Sequence, residues 1–183
     1  MVLNEFLKGK HVILRPVEEK DAEFILMIRL DERNAPFLGN TPNDIEFQKE
    51  WIRNQRERPG DYYFLYEDYD GNSQGVISVY NIHDNQAEVG RQVGLDDSLK
   101  NMEAEYLAMK FAFEKLNLEK IIGTTYVTNK RIYSKSKKLG LSVDGIINLN
   151  GRDSYLMSLT KSQFLNKWKP TMEFYLNKFD NTI

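Results

Sequence analysis

The chain has 183 residues, 41% hydrophobic and 28% charged, which is enough to bury the core of one globular domain. A formal net charge of −2 supplies no overall positive field, which argues against nucleic acid or an anionic membrane surface as partners. There is no cysteine, which excludes disulfides, a thiolate nucleophile and cysteine-ligated metal; the two histidines, His11 and His83, lack metal-ligand spacing, so no metal site is expected.

The opening stretch MVLNEFLKGK has no apolar signal region, and no run approaches the roughly 18 apolar residues of a membrane span, so a soluble cytoplasmic protein is expected. Residues 11–17 (HVILRPV) read as a first strand ending at Pro16. Glu18, Glu19 and Asp21 then place negative charge at the start of a helix reaching Leu30, with Phe24, Ile25, Met27 and Ile28 on its buried side. Residues 31–43 hold Asn34, Pro36, Gly39, Asn40 and Pro42 and read as a long loop, of the kind that more often carries function than not. Thr41-Pro42-Asn43-Asp44 reads as the entry of a second helix running to about Glu57, with Ile45, Phe47, Gln48, Trp51 and Ile52 at helical spacing. Residues 61–67 and 74–82 form strands across the turn Asp70-Gly71-Asn72, and residues 83–86 turn into the next strand.

Residues 87–141 organise the rest. They read as a strand (87–95), a polar turn (96–101), an apolar helix (102–116), a strand (120–127) and a second helix (130–139). Met102, Tyr106, Met109, Phe113 and Leu116 stripe the core face of the first helix, and Glu103 is expected on another face, turned to solvent. A last hairpin turns at Asn150-Gly151 between residues 142–149 and 154–160. Residues 161–183 are expected as a helical tail on the same domain, interrupted at Pro170, with Phe164, Leu165, Trp168, Phe174, Tyr175, Leu176 and Phe179 available for packing.

This order predicts an α/β fold: a mixed, mostly antiparallel central sheet of about seven strands with helices on both faces. That order, together with Leu14-Arg15-Pro16, Glu88-Val89-Gly90, Glu105, Asn129 and Leu139-Gly140-Leu141, resembles the GNAT acyl-CoA N-acetyltransferases over roughly residues 10–160. Within that superfamily the chain is most similar to the branch acetylating ribosomal-protein N-termini, polyamines and nucleotide-linked amino sugars. The resemblance implies a splay between the fourth and fifth strands that accepts acetyl-CoA as co-substrate. Its pyrophosphate would meet the turn before the following helix, where helix-start N–H groups face the ligand.

On the family's pattern the donor-binding positions fall on Val93, Gly94, Leu95, Ser98, Lys100, Asn101, Met102 and Asn129. The family's R-x-x-G-x-G/A falls on Ser98, Asn101 and Glu103, so its arginine and glycines are absent. Asn101 is read as a substitute that tolerates positive φ and caps the helix. Lys130, Arg131, Lys135, Lys137 and Lys138 offer charge for the 3′-phosphate, or a solvated helix face. Acetyl transfer needs a base, an oxyanion contact and a proton for the leaving thiolate. Glu88 is the base candidate, the backbone N–H groups of residues 93–95 the oxyanion contact, and Ser136 or Tyr133 the proton donor.

The acceptor pocket is expected between the 31–43 loop, the second helix and the last hairpin. Asp31 and Glu32 would attract an amine, and Tyr62, Tyr63, Tyr66 and Tyr80 would offer stacking faces. His83 reads as a surface histidine in a turn. The expected activity is acetylation of a primary amine on a small molecule, an amino-sugar nucleotide or a polyamine, ahead of a protein N-terminus. The alternative is a GNAT-shaped binding module without turnover. Relatives further imply a homodimer through the last hairpin or the tail.

Overall fold

The computed structural model describes residues 6–180. Within them one eight-stranded sheet runs in the order β1 (Leu7–Lys8), β2 (Ile13–Pro16), β3 (Tyr62–Glu67), β4 (Ser73–His83), β5 (Gln86–Gly94), β6 (Lys120–Tyr126), β8 (Arg152–Thr160) and β7 (Ser142–Leu149). Every neighbouring pair is antiparallel except β5 with β6. The strand beyond the expected seven is β1, whose two residues are too short to show alternation. Its pairing of Leu7 with Leu14 and Lys8 with Ile13 fixes it as strand.

Alternate side chains along the central strands supply two cores. Phe64, Tyr66, Ile77 and Val79 meet α3 (Ser98–Lys110) and the C-terminal helices on one face. Tyr63, Leu65 and Val76 meet α1 (Ala22–Leu30) and Ile52 of α2 (Ile45–Arg56) on the other. Arg15 locks β2 to the entry of α1, with Nη1 and Nη2 donating to Asp21 at 2.8 Å each and Nε to Glu67 at 2.9 Å. Of the expected buried side of α1, Ile25 and Ile28 are buried and Phe24 packs partly buried against the same core, whereas Met27 is exposed and Ala22 and Leu26 turn inward instead. Asp44 caps α2 by accepting from the Glu46 and Phe47 amides, while Gln48, Ile52 and Gln55 face inward and Ile45 and Phe47 outward. The two tight hairpins carry the left-handed pairs that their sequences call for, Asp84 (φ 47) with Asn85 (φ 60) and Asn150 (φ 50) with Gly151 (φ 78).

Pro170 does not interrupt the tail. α5 (Lys161–Gln163) runs through a π-helical turn (Phe164–Trp168) into α6 (Lys169–Asp180). The wider turn precedes the proline and absorbs its missing donor and its clash with the preceding turn. Phe164, Trp168, Met172 and Leu176 are buried in the α3-side core, whereas Leu165, Phe174 and Tyr175 are exposed. The side chain of Phe179 and residues 181–183 lie outside the described part. No helix among the described residues is long and apolar enough to cross a membrane.

Candidate active site

β5 and β6 pair only through Gln86 with Lys120, Ala87 with Ile121 and Glu88 with Ile122. Past these rungs β5 stays with β4 and β6 with β8, so the two strands part. A β-bulge turns β5 aside: Val93 faces Val76 and Gly90 faces Ser78, leaving Arg91 and Gln92 opposite Ile77 alone, with Arg91 at φ 52. The gap opens into a cavity of about 1010 Å³ lined by both strands, by Asn101, Met102 and Glu105 of α3, and by α4 (Lys130–Lys138).

The β5 edge presents Gly94 to this gap. The Leu95 amide donates to Gln74 O at 2.8 Å, so it is engaged with β4 and is not available as an oxyanion contact; the alternation turns the Gly94 N–H the other way, toward β6. Gly94 and its partner Gly75 also make room for Tyr66. A Cβ on either would lie 2.2 Å from the Tyr66 hydroxyl. That hydroxyl donates to Asn101 Oδ1 at 2.6 Å, Asn101 Nδ2 donates to Leu95 O at 2.8 Å, and Gln92 Nε2 donates to Asn101 O at 2.8 Å.

These bonds correct the expected role of Asn101. α3 begins at Ser98, not Met102, with Asp97 as its cap accepting from the Lys100 amide at 3.0 Å. Asn101 therefore lies inside the first helical turn, not among the positive-φ residues, and its side chain fastens the β5–α3 connection. Lys100 is diverted too, its Nζ 3.3 Å from Asp68 and outside the cavity lining, while Ser98 and Met102 line it. Glu103 is buried and not turned to solvent, accepting from the Lys10 amide at 2.5 Å and the His11 amide at 2.8 Å. A carboxylate there satisfies the β1–β2 turn and leaves the cleft mouth uncharged by it. Gly9 belongs to the same fit, since a Cβ would lie 2.5 Å from Glu103 Oε1.

Glu88 sits at the last β5–β6 rung, opposite Tyr80 on β4, and accepts from Asn81 Nδ2 at 2.9 Å. It stands beside the cavity and not in its lining. Burial and then Glu88 push the Tyr80 hydroxyl above its ordinary pKa. The Tyr80 ring also carries Arg91, whose guanidinium lies 3.8 Å from the ring centroid and donates to Asp61 at 2.8 and 3.0 Å. Sequence reasoning missed Arg91, because nothing in the strand pattern marks where a bulge will swing a side chain.

On α4, Asn129 lines the cleft as the helix cap, accepting from the Ile132 amide at 3.2 Å. Ser136 is buried in the lining, whereas Tyr133 stacks on Tyr155 with centroids 4.3 Å apart and lies outside it. Lys130, Arg131 and Lys135 line the cleft and Lys137 and Lys138 do not. Lys135 reaches across to Glu105 on α3 at 2.5 Å, a pairing between helices that no linear motif announces.

The acceptor side departs from expectation in two respects. Asp31 is occupied by Arg33, whose hydrogen bonds hold its carboxyl near 2, below the ordinary 3.8, and it is Arg33 that lines the cavity. The tyrosine faces are consumed as well: Tyr63 and Tyr66 are buried, Tyr62 packs on Phe111 and Tyr80 carries Arg91. The 31–43 loop and the last hairpin do meet over the cleft, where Arg152 Nη1 donates to Pro36 O at 3.0 Å. His83 is exposed, 3.7 Å from Asp84. Among the described residues no group of three or more side chains could hold a metal ion.

A comparison with curated proteins finds no match. Among solved structures, the chain is similar to a GCN5-related N-acetyltransferase from Brucella melitensis at TM-score 0.81 and 18% identity, over 95% of this chain and 86% of that one. It is similar to FdhC, a nucleotide-linked sugar GNAT, at TM-score 0.78 and 25% identity, over 94% and 97%. A point mutant of the spermidine N-acetyltransferase SpeG from Vibrio cholerae follows at TM-score 0.73 and 21% identity, over 86% and 98%. Residues 11–142 match the family model described as an acetyltransferase (GNAT) domain, and the chain, with its parted β5 and β6, belongs to the GNAT acetyltransferases.

Proposed function

We propose that the protein is an acetyl-CoA-dependent N-acetyltransferase acting on the primary amine of a small molecule, a nucleotide-linked amino sugar or a polyamine, ahead of a protein N-terminus. The observation that carries this is the cleft between β5 and β6. Its lining fits a long arm ending in phosphates: Met102, Met109, Ile121 and Met157 supply apolar surface, the parted strands supply backbone donors and acceptors, and Lys130 and Arg131 supply charge at one side. Bound acetyl-CoA would provide the thioester carbonyl.

The chain's own groups divide the remaining work. The Gly94 N–H, aimed into the gap, suits a developing oxyanion. Glu88, beside the cleft, takes the proton from the attacking amine directly or through water. Ser136, buried in the lining, offers its hydroxyl to the leaving thiolate, while Tyr133 is held by its stacking on Tyr155. A second reading, a GNAT-shaped binding module without turnover, draws on the engagement of Lys100 with Asp68 and of Asn101 with Tyr66 at the donor turn.

Calorimetric titration with acetyl-CoA separates the two. Micromolar binding is expected, followed by thiol release with an accepting amine. No heat and no shift in melting temperature at millimolar ligand would overturn the acetyltransferase assignment. Glu88→Gln should lower turnover at saturating amine and leave acetyl-CoA affinity unchanged; undiminished turnover would remove Glu88 as the base.

A further inference from the structure

The turn entering α3 is acidic. Asp96 lines the cavity with its side chain 72% exposed, whereas Asp97 caps the helix and shares Lys100 with Asp68, the ammonium lying 3.8 and 3.3 Å from the two carboxylates and outside the lining. A diphosphate held beside Asp96 is repelled unless a cation stands with it. The neighbouring loop supplies one. Arg33, on the loop after α1, lines the same cavity, and its Nη1 lies 4.0 Å from Asp96 Oδ2.

Arg33 is also presented by an anchored loop. Asn34 Nδ2 donates to Ile28 O at 2.9 Å, and Arg152 holds Pro36 O from the last hairpin. The guanidinium is parked on Asp31, Nε and Nη2 donating at 2.9 and 2.8 Å, with the side chain still 65% exposed and so able to turn. A diphosphate carries more charge than the single carboxylate of Asp31, and a guanidinium fork matches paired phosphate oxygens.

We infer that Arg33 is the guanidinium that meets the donor's pyrophosphate, supplied from the neighbouring loop in place of the arginine missing from the turn. This rests on the donor-site proposal above. It also accounts for a turn that presents Asp96 to the cavity while its own Lys100 is held between Asp68 and Asp97, outside the lining.

The test is calorimetric titration of wild type, Arg33→Gln and Arg33→Lys with coenzyme A, 3′-dephospho-coenzyme A and pantetheine. Arg33→Gln should bind both pyrophosphate-bearing ligands about tenfold more weakly and pantetheine equally well, and Arg33→Lys, which keeps the charge without the fork, should fall between. Equal coenzyme A affinity in wild type and Arg33→Gln would overturn the assignment with the donor site intact. A loss seen with coenzyme A but not with its dephospho form would also overturn it, moving Arg33 to the 3′-phosphate. A wild type that binds none of the three would bring down the donor-site proposal, and this inference with it.

Discussion

Gly94→Ala places a methyl group where the protein has none to spare. The added Cβ would lie 2.2 Å from the Tyr66 hydroxyl and 2.5 Å from Asn101 Oδ1. Tyr66 is fully buried and cannot retreat to solvent, so the strand, the ring or the amide must shift. Overpacking of this kind costs about 1–3 kcal/mol. Breaking the 2.6 Å bond from Tyr66 to Asn101 inside the core adds about 1–3 kcal/mol for the groups left unsatisfied. A total near 2–6 kcal/mol is a large part of the roughly 5–15 kcal/mol that holds a domain folded.

Urea unfolding followed by tryptophan fluorescence measures it, with Tyr66→Phe and the double variant completing a cycle. Tyr66→Phe alone should cost about 1–2 kcal/mol, since Asn101 Oδ1 loses its donor. Because the hydroxyl is also the group that the new methyl strikes, the double variant should fall short of the summed single effects by at least about 1 kcal/mol. A Gly94→Ala protein within about 0.5 kcal/mol of wild type, or strict additivity in the cycle, would refute the wedge.

Glu103→Ala should destabilise the fold by about 2–4 kcal/mol in the same assay, because the Lys10 and His11 amides lose their buried acceptor; Glu103→Gln should cost less. By NMR, the Asp31 carboxyl should titrate near 2 in the wild type and return toward 3.8 in Arg33→Gln. The sign follows from the lowered value: the Arg33 clasp is fully present above 3.8 and is lost as pH falls through about 2, so an unshifted Asp31 would remove the clasp. Ser136→Ala should slow the acetyl-transfer step in single-turnover experiments with acetyl-CoA affinity unchanged; an unaltered rate would take the hydroxyl out of the chemistry.

Much of the fold was legible because its elements carry local signatures. The apolar, aromatic run of residues 62–67, the Asn150-Gly151 turn and the helix entry at residues 41–44 each act within a few residues. The boundary of α3 was misplaced because Asp97 and Asn101 are both good caps by residue type, and only the contact of Asn101 with Tyr66, thirty-five positions away, decides between them. Glu103 was misread for a related reason. Helical spacing says which residues share a face, not that a two-residue strand will bring bare amides against one of them. Around the cavity, the family pattern pointed to Ser136 and Gly94, which line it, whereas the engagement of Asp31 by Arg33, of Lys100 by Asp68 and Asp97 and of Glu105 by Lys135 depends on side-chain reach after folding.

The three rungs between β5 and β6 have a mechanical consequence. They join a five-stranded plate, β1 to β5, to a three-stranded one, β6, β8 and β7, and side-chain packing beneath α3 supplies the rest of the joint. Beyond Glu88 and Ile122 no ladder rung joins the two plates, so no backbone pairing there opposes a change in the width of the cleft. A molecule seated between the plates would tie them together, and slower amide exchange at Ala87 and Ile121, on the spine itself, is the expected sign of its binding.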